Sequence, residues 1–211
     1  MKNAEKFWDR MADSFDREEG ELDPDELELI ERVKAHLQTD DVVLDYGCAT
    51  GNITLRIAPK VARIQGIDIS GEMIAAAQEK ARQNAGENTT FLQATISDPR
   101  LAPGSFDAVL ALNILHLLPE PEQALQRIHD LLMPGGRLVS TTACMGENRF
   151  SLVGLSLRAA SALRVIPPLH FFKTAELEEI ITRAKFEIRE ADSRLDPENK
   201  ATIHFVAART V

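Results

Sequence analysis

The chain is poor in the residues that build several kinds of protein. It holds two cysteines, Cys48 and Cys144, in 211 residues. Two thiols make neither a disulfide framework nor a zinc cluster, and they read as small buried side chains. Positive charge is short as well: 24 Lys and Arg face 33 Asp and Glu, for a net charge of −9. Phosphate contacts need clustered cations, so the chain is a poor general nucleic-acid binder; small-molecule ligands are favoured, and a protein substrate stays open. No apolar run approaches the roughly 18–20 residues that span a bilayer. The opening MKNAEKFWDR is charged and carries no apolar signal region. No integral membrane contact and a cytoplasmic setting are therefore expected. Internal repeats and low-complexity linkers are missing too. What remains is a chain that is 44% apolar, long enough for one α/β domain with a substantial core.

The stretch VVLDYGCATGN, from Val42 to Asn52, organises that domain. Val42, Val43 and Leu44 form a short apolar run, the pattern of a buried parallel strand, and Asp45 ends it. Gly47 and Gly51 bracket a tight turn, and Ile53, Leu55, Ile57 and Ala58 continue as a helix. Strand, glycine turn and helix N-terminus make a nucleotide-binding corner. Gly47 has no Cβ, so a ligand can approach its backbone closely. Asp45 then decides between ligands. A dinucleotide would bring a pyrophosphate, which a carboxylate repels. S-adenosylmethionine brings an ammonium, a sulfonium and a small carboxylate, which suit an acid beside exposed backbone N–H groups. Asp68 lies 21 residues after Gly47, near the end of a second strand over 62–69. That spacing places an acid on ribose hydroxyls, and one carboxylate can accept from both.

Asp45-Tyr46-Gly47-Cys48-Ala49-Thr50-Gly51 resembles the acid-x-Gly-x-Gly-x-Gly signature of class I S-adenosylmethionine-dependent methyltransferases, with Ala49 in place of the middle glycine. Gly66-Ile67-Asp68-Ile69-Ser70 resembles their second signature. Asn113 to Leu118 is similar to the Asn-x-Leu-His-x-Leu segment of the ubiquinone- and menaquinone-biosynthesis group. The resemblance covers about residues 5–209 and implies methyl transfer from S-adenosylmethionine to a small molecule. It also implies a cofactor site of Asp45, Gly47, Cys48, Ala49, Gly51, Asp68, Ile69, Met73, Thr95, Ile96 and Asn113, with Met73 on the adenine and no metal. Relatives carry an acid at the position of Thr95. Here the base is read by the Thr95 hydroxyl, by Asp98 after a loop shift, or by backbone alone. His116 is the candidate base where the acceptor must lose a proton, and His170 is second. The Asp/Asn-Pro-Pro-aromatic string of nucleic-acid amino-methylating enzymes is absent, which argues against a nucleobase acceptor. Phe7 to Asp16 is similar to a Tyr/Trp-Asp-x-x-Ala-x-x-Tyr-Asp opening, so residues 1–21 are expected to cap the site.

Elsewhere, Asp23, Pro24 and Glu26 mark a helix start, and Leu27, Ile30, Val33 and Leu37 recur at helical spacing. Strands are expected over 89–94, 105–113 and 137–142, with a helix over 123–133 stopped by Pro134-Gly135-Gly136. Thr174 should cap a helix to about Ala184. Two alternating runs, 186–194 and 202–209, should close the sheet as an antiparallel pair. Relatives have a glycine where Lys185 stands. The sum is one α/β domain: a doubly wound, mostly parallel, seven-stranded sheet, its last strand antiparallel, with helices on both faces. Residues 145–172 form an apolar insertion between the fifth and sixth strands. Its residues, among them Phe150, Leu155, Leu163 and Val165, imply core burial, a homodimer contact, or a lid over a hydrophobic acceptor. Two rival functions stay open. One is a non-catalytic S-adenosylmethionine-binding module. The other is an NAD(P)-dependent oxidoreductase, which Asp45 disfavours.

Overall fold

The computed structural model describes residues 2–18, 24–84, 87–146, 152–163, 165–195 and 201–211. The strands are β1 (Val42–Tyr46), β2 (Arg63–Asp68), β3 (Thr89–Gln93), β4 (Phe106–Leu112), β5 (Leu132–Cys144), β6 (Phe186–Leu195) and β7 (Thr202–Thr210). The helices are α1 (Lys2–Glu18), α2 (Pro24–Ala35), α3 (Asn52–Ile57), α4 (Gly71–Asn84), α5 (Pro121–Leu131), α6 (Leu152–Ala162) and α7 (Thr174–Arg183). The strands make one sheet in the order β3-β2-β1-β4-β5-β7-β6. β7 runs antiparallel to both β5 and β6, and the remaining neighbours pair in parallel. This is the expected doubly wound sheet with its last strand reversed. From β1 the chain winds outward to β2 and β3, then returns to β4 on the other side. The crevice beyond the C-terminal ends of β1 and β4, at that reversal, is where such sheets bind ligands.

Strand alternation sorts the core onto two faces. Leu44, Val109, Leu138 and Val206 pack with Leu125 of α5 and Leu177 of α7. Their immediate neighbours Val43, Leu110, Val139 and Phe205 pack with Ile30 and Val33 of α2 and Ile57 of α3. α4 sets Ile74 and Ala77 against Phe91 of β3.

Three boundaries differ from the sequence expectation. β1 does not stop at Asp45, which sits in register with Gly66 and Leu110 inside the sheet. α5 ends at Leu131, ahead of Pro134-Gly135-Gly136. Leu132 is already extended, buried and paired with Phe106, and β5 runs on through the three residues. α7 is capped by Lys173 rather than Thr174, and the Glu176 carboxylate accepts the Lys173 N–H at 3.0 Å. Asp23 and Phe150 lie outside the described residues.

The insertion is pinned at its base. Gly146 N–H donates to the Phe172 carbonyl at 2.7 Å, and a Cβ on Gly146 would lie 2.6 Å from that carbonyl. Leu155 and Leu163 are 48% and 75% exposed, so core burial does not describe them. Among the described residues, no helix is long and apolar enough to cross a membrane.

Candidate active site

β1 delivers the chain into a turn of left-handed backbone: Gly47 at φ +80°, Ala49 at +47° and Gly51 at +80°. Glycine adopts this region without strain, whereas Ala49 enters it carrying a Cβ. Four of the turn's N–H groups are spent within the chain. Gly47 and Cys48 donate to the Ile67 carbonyl at 2.8 and 3.1 Å, and Gly51 donates to the Cys48 carbonyl at 2.9 Å. Ala49 donates to Asp68 Oδ2 at 3.2 Å. Of the expected row of exposed N–H groups, those of Gly47, Cys48 and Ala49 are thus taken by bonds that fasten the turn to β2. Beside Gly47, Ile114 fills the space a side chain would take, with its Cδ1 2.9 Å from the missing Cβ.

Cys48 and Met73 are buried, and Gly51 backs onto the Phe91 ring. Cys48 is buried against Phe91, Ile74 and Ala77, and burial pushes its thiol well above the ordinary range. A Cβ on Gly51 would strike the Phe91 ring at 2.7 Å, and one on Gly66 would strike it at 2.6 Å. Both glycines thus make room for an aromatic ring under the turn. Met73 is 1% exposed.

Two acids flank the turn. Asp45 is buried, and its carboxylate accepts the Thr54 hydroxyl at 2.5 Å. Burial raises its pKa from 3.8 to about 6; the Thr54 bond opposes the rise and the Asp68 charge adds to it. Asp68 also accepts the Ser70 N–H through Oδ1 at 2.9 Å. Burial raises its pKa too, against the pull of its backbone bonds and with a further push from Asp9. Among the described residues, no cation offsets either charge. Carboxylates held this way, with lone pairs to spare, are a seat for a cation and for hydroxyl donors. S-adenosylmethionine presents both, in its sulfonium, ammonium and ribose, and the residues fit it.

Asp9 reaches this place from α1. Its carboxylate accepts the Ser70 hydroxyl at 2.7 Å, a pairing across 61 residues that lays α1 over the start of α4. Sequence inspection gives neither residue a role, because nothing local couples them. Ile69 and Thr95 are half-buried and Ile96 is buried along the same edge. Asp98 is paired within its own loop. Arg100 grips it through Nε at 2.8 Å and Nη2 at 2.7 Å, and this holds its pKa near 2. Asn113, exposed and at φ +55°, ends β4 with its N–H on the Thr141 carbonyl.

His116 lies in a short 3-10 turn, Leu115–Leu117, after β4. It is 9% exposed, and its Nδ1 is buried without a hydrogen-bond partner. Burial, with the His170 charge adding, lowers its pKa to about 4, so its imidazole is neutral at pH 7. His170 N–H donates to the His116 carbonyl at 2.8 Å, and its ring stacks on Phe172. Between α1 and the segment after α6 lies a cleft of about 700 Å³.

A doubly wound sheet with an acidic crevice at its reversal defines a nucleoside-cofactor protein. The family model for a methyltransferase domain matches residues 37–193. The chain belongs to this family, as a class I S-adenosylmethionine-dependent methyltransferase. It is 26% identical over 196 residues to the ubiquinone biosynthesis O-methyltransferase of Xanthomonas euvesicatoria pv. vesicatoria, covering 91% of this chain and 80% of that one. It is 36% identical over 99 residues to an uncharacterised Synechococcus protein, covering 46% of this chain and 24% of that protein. Among solved structures, a SAM-dependent methyltransferase from Methanosarcina mazei superposes with a TM-score of 0.68 at 23% identity, over 90% of this chain and 99% of that one.

Proposed function

We propose that the chain methylates a small, largely apolar acceptor held beneath α1 and the insertion. The observation that carries this is the Asp9–Ser70 bond, which ties α1 to a residue two positions after Asp68 and so joins the cleft to the cofactor edge. Asp68 would hold the ribose hydroxyls, Asp45 would face the cationic end, and Gly47, Ala49, Ile69, Thr95, Ile96 and Asn113 would border the rest. Bound there, S-adenosylmethionine supplies an activated methyl group, so the protein's task is to place the acceptor. His116 is the candidate to orient it. In the tautomer protonated at Nε2, its buried Nδ1 offers a lone pair to an acceptor hydroxyl. A pKa near 4 makes it a weak base, so it steers a proton more than it stores one. Two buried cysteines, neither in a disulfide, support a reducing, cytoplasmic setting. The net charge of −9 supports a small molecule over nucleic acid. Exposed Leu155, Leu163 and Val165 support self-association through the insertion as a second use of that surface.

Calorimetric titration with S-adenosylhomocysteine tests the cofactor site. Asp68→Ala should weaken binding by about 1–3 kcal/mol, the cost of unpairing groups bonded to a charge. Unchanged affinity would remove Asp68 from the site. Screening metabolite pools with labelled cofactor then identifies the acceptor.

A further inference from the structure

Resting on that reading, we propose that Lys6 and Arg10 make the cleft select acceptors carrying an anionic group, a carboxylate or a phosphate, on an apolar body. Lys6, Phe7 and Arg10 share one face of α1, at spacings of three and four residues, and Val165, Ile166 and Pro167 stand across from them. The walls are thus apolar while two exposed cations sit at the rim. Among the described residues neither cation has an ion-pair partner. Arg10 Nε donates to the Lys6 carbonyl along its own helix at 3.1 Å, which leaves its guanidinium further donors. Asp9, the acid in the lining, is turned to the Ser70 hydroxyl. In a chain of net charge −9, this is a local reversal of sign inside a concave, apolar site.

Both walls are anchored. α1 is fixed beside Asp68 through Asp9 and Ser70. The opposite wall is fixed by Leu169 N–H on Ser161 Oγ at 3.3 Å and by His170 N–H on the His116 carbonyl at 2.8 Å. An amphiphile seated between them keeps its body against the walls and its charge at the rim, near Lys6 and Arg10.

The test uses the single tryptophan, Trp8 of α1, as reporter. Decanoate, decyl phosphate, decanol and decyltrimethylammonium are titrated in the presence of S-adenosylhomocysteine. The anions should bind about tenfold tighter than decanol, as two partly exposed ion pairs allow. That margin should shrink in high salt. Tighter decyl phosphate would assign a phosphate ester, and tighter decanoate a carboxylate. The Lys6→Gln/Arg10→Gln double variant should bind anions and decanol alike, with S-adenosylhomocysteine affinity kept. Lys6→Glu/Arg10→Glu should favour the quaternary ammonium. Equal binding of decanol and the anions by the natural protein, or an anion preference that survives in the Gln variant, overturns the proposal. Loss of S-adenosylhomocysteine binding with anion preference intact would instead sink the cofactor reading and leave the cleft standing.

Discussion

Asp45 keeps a negative charge where water is excluded, and its Thr54 bond only partly offsets the cost. The sign of the pH effect follows. Its pKa is raised on folding, from 3.8 to about 6, so the folded state holds the proton more tightly. The penalty is absent below pH 3.8, grows as pH climbs to about 6, and is complete above that, at about 3 kcal/mol. Asp45→Asn should therefore gain about that much stability relative to the natural chain between pH 3.5 and pH 7, and lose S-adenosylhomocysteine affinity. Denaturant melts across this window check it; a difference that does not change with pH would mean Asp45 is not desolvated. Two other residues carry strain in the backbone. Ala49 and Lys185 stand where the sequence resemblance leads one to expect glycine, and both adopt positive φ, +47° and +66°. That conformation costs an L-residue about 1–2 kcal/mol, against the 0.4–1 kcal/mol that glycine adds to the unfolded chain's freedom. Ala49→Gly and Lys185→Gly should each stabilise by about 0.5–1 kcal/mol in thermal melts. These positions were legible in the sequence as odd residues in a glycine pattern. Cys48 was not, because a turn motif gives the order of residues and says nothing of which side chain the core will claim.

Among the elements, the strands were legible from apolar runs, nearly all within two residues of their ends. The limit of α5 was not. Pro134-Gly135-Gly136 is a strong stop signal, yet Leu132 found a core position and a partner in Phe106, and burial ended the helix first. α1 was legible as an amphipathic segment, while its anchor needed a contact spanning 61 residues. The insertion depends on Gly146 in a way that spacing does not reveal. A Cβ there meets the Phe172 main chain, which cannot turn aside as a side chain could. Gly146→Ala should lower the melting temperature, raise the apparent Michaelis constant for the acceptor, and leave S-adenosylhomocysteine affinity unchanged. A parallel loss of cofactor affinity would show that the insertion and cofactor edge are one unit.

At the scale of the whole molecule, the doubly wound class was legible because alternating strands and helices with short joints leave few arrangements. Contacts that join distant parts were not. Arg32 of α2 bonds Glu190 at 2.6 Å and Asp192 at 3.0 Å on β6, and lies 3.8 Å over the Phe205 ring. No pattern near residue 32 announces partners so far along the chain. The exposed apolar side chains of the insertion lead to a prediction at this scale too. Leu155→Ser and Leu163→Ser should leave thermal stability of the dilute protein within about 0.5 kcal/mol, as for other surface changes. If they seat a second copy, sedimentation should show a dimer that both substitutions weaken. A large loss of stability in the dilute protein would restore the core-burial reading. The way the cleft walls are fastened has a consequence for how this protein can change. One wall is held to its neighbours largely through main-chain groups, Gly146 to Phe172 and His170 to His116, which every residue but proline supplies. Side chains facing the cleft can thus be exchanged one at a time while the frame stays shut. A lineage of such chains could drift from one acceptor to another through viable intermediates, each as stable as its parent.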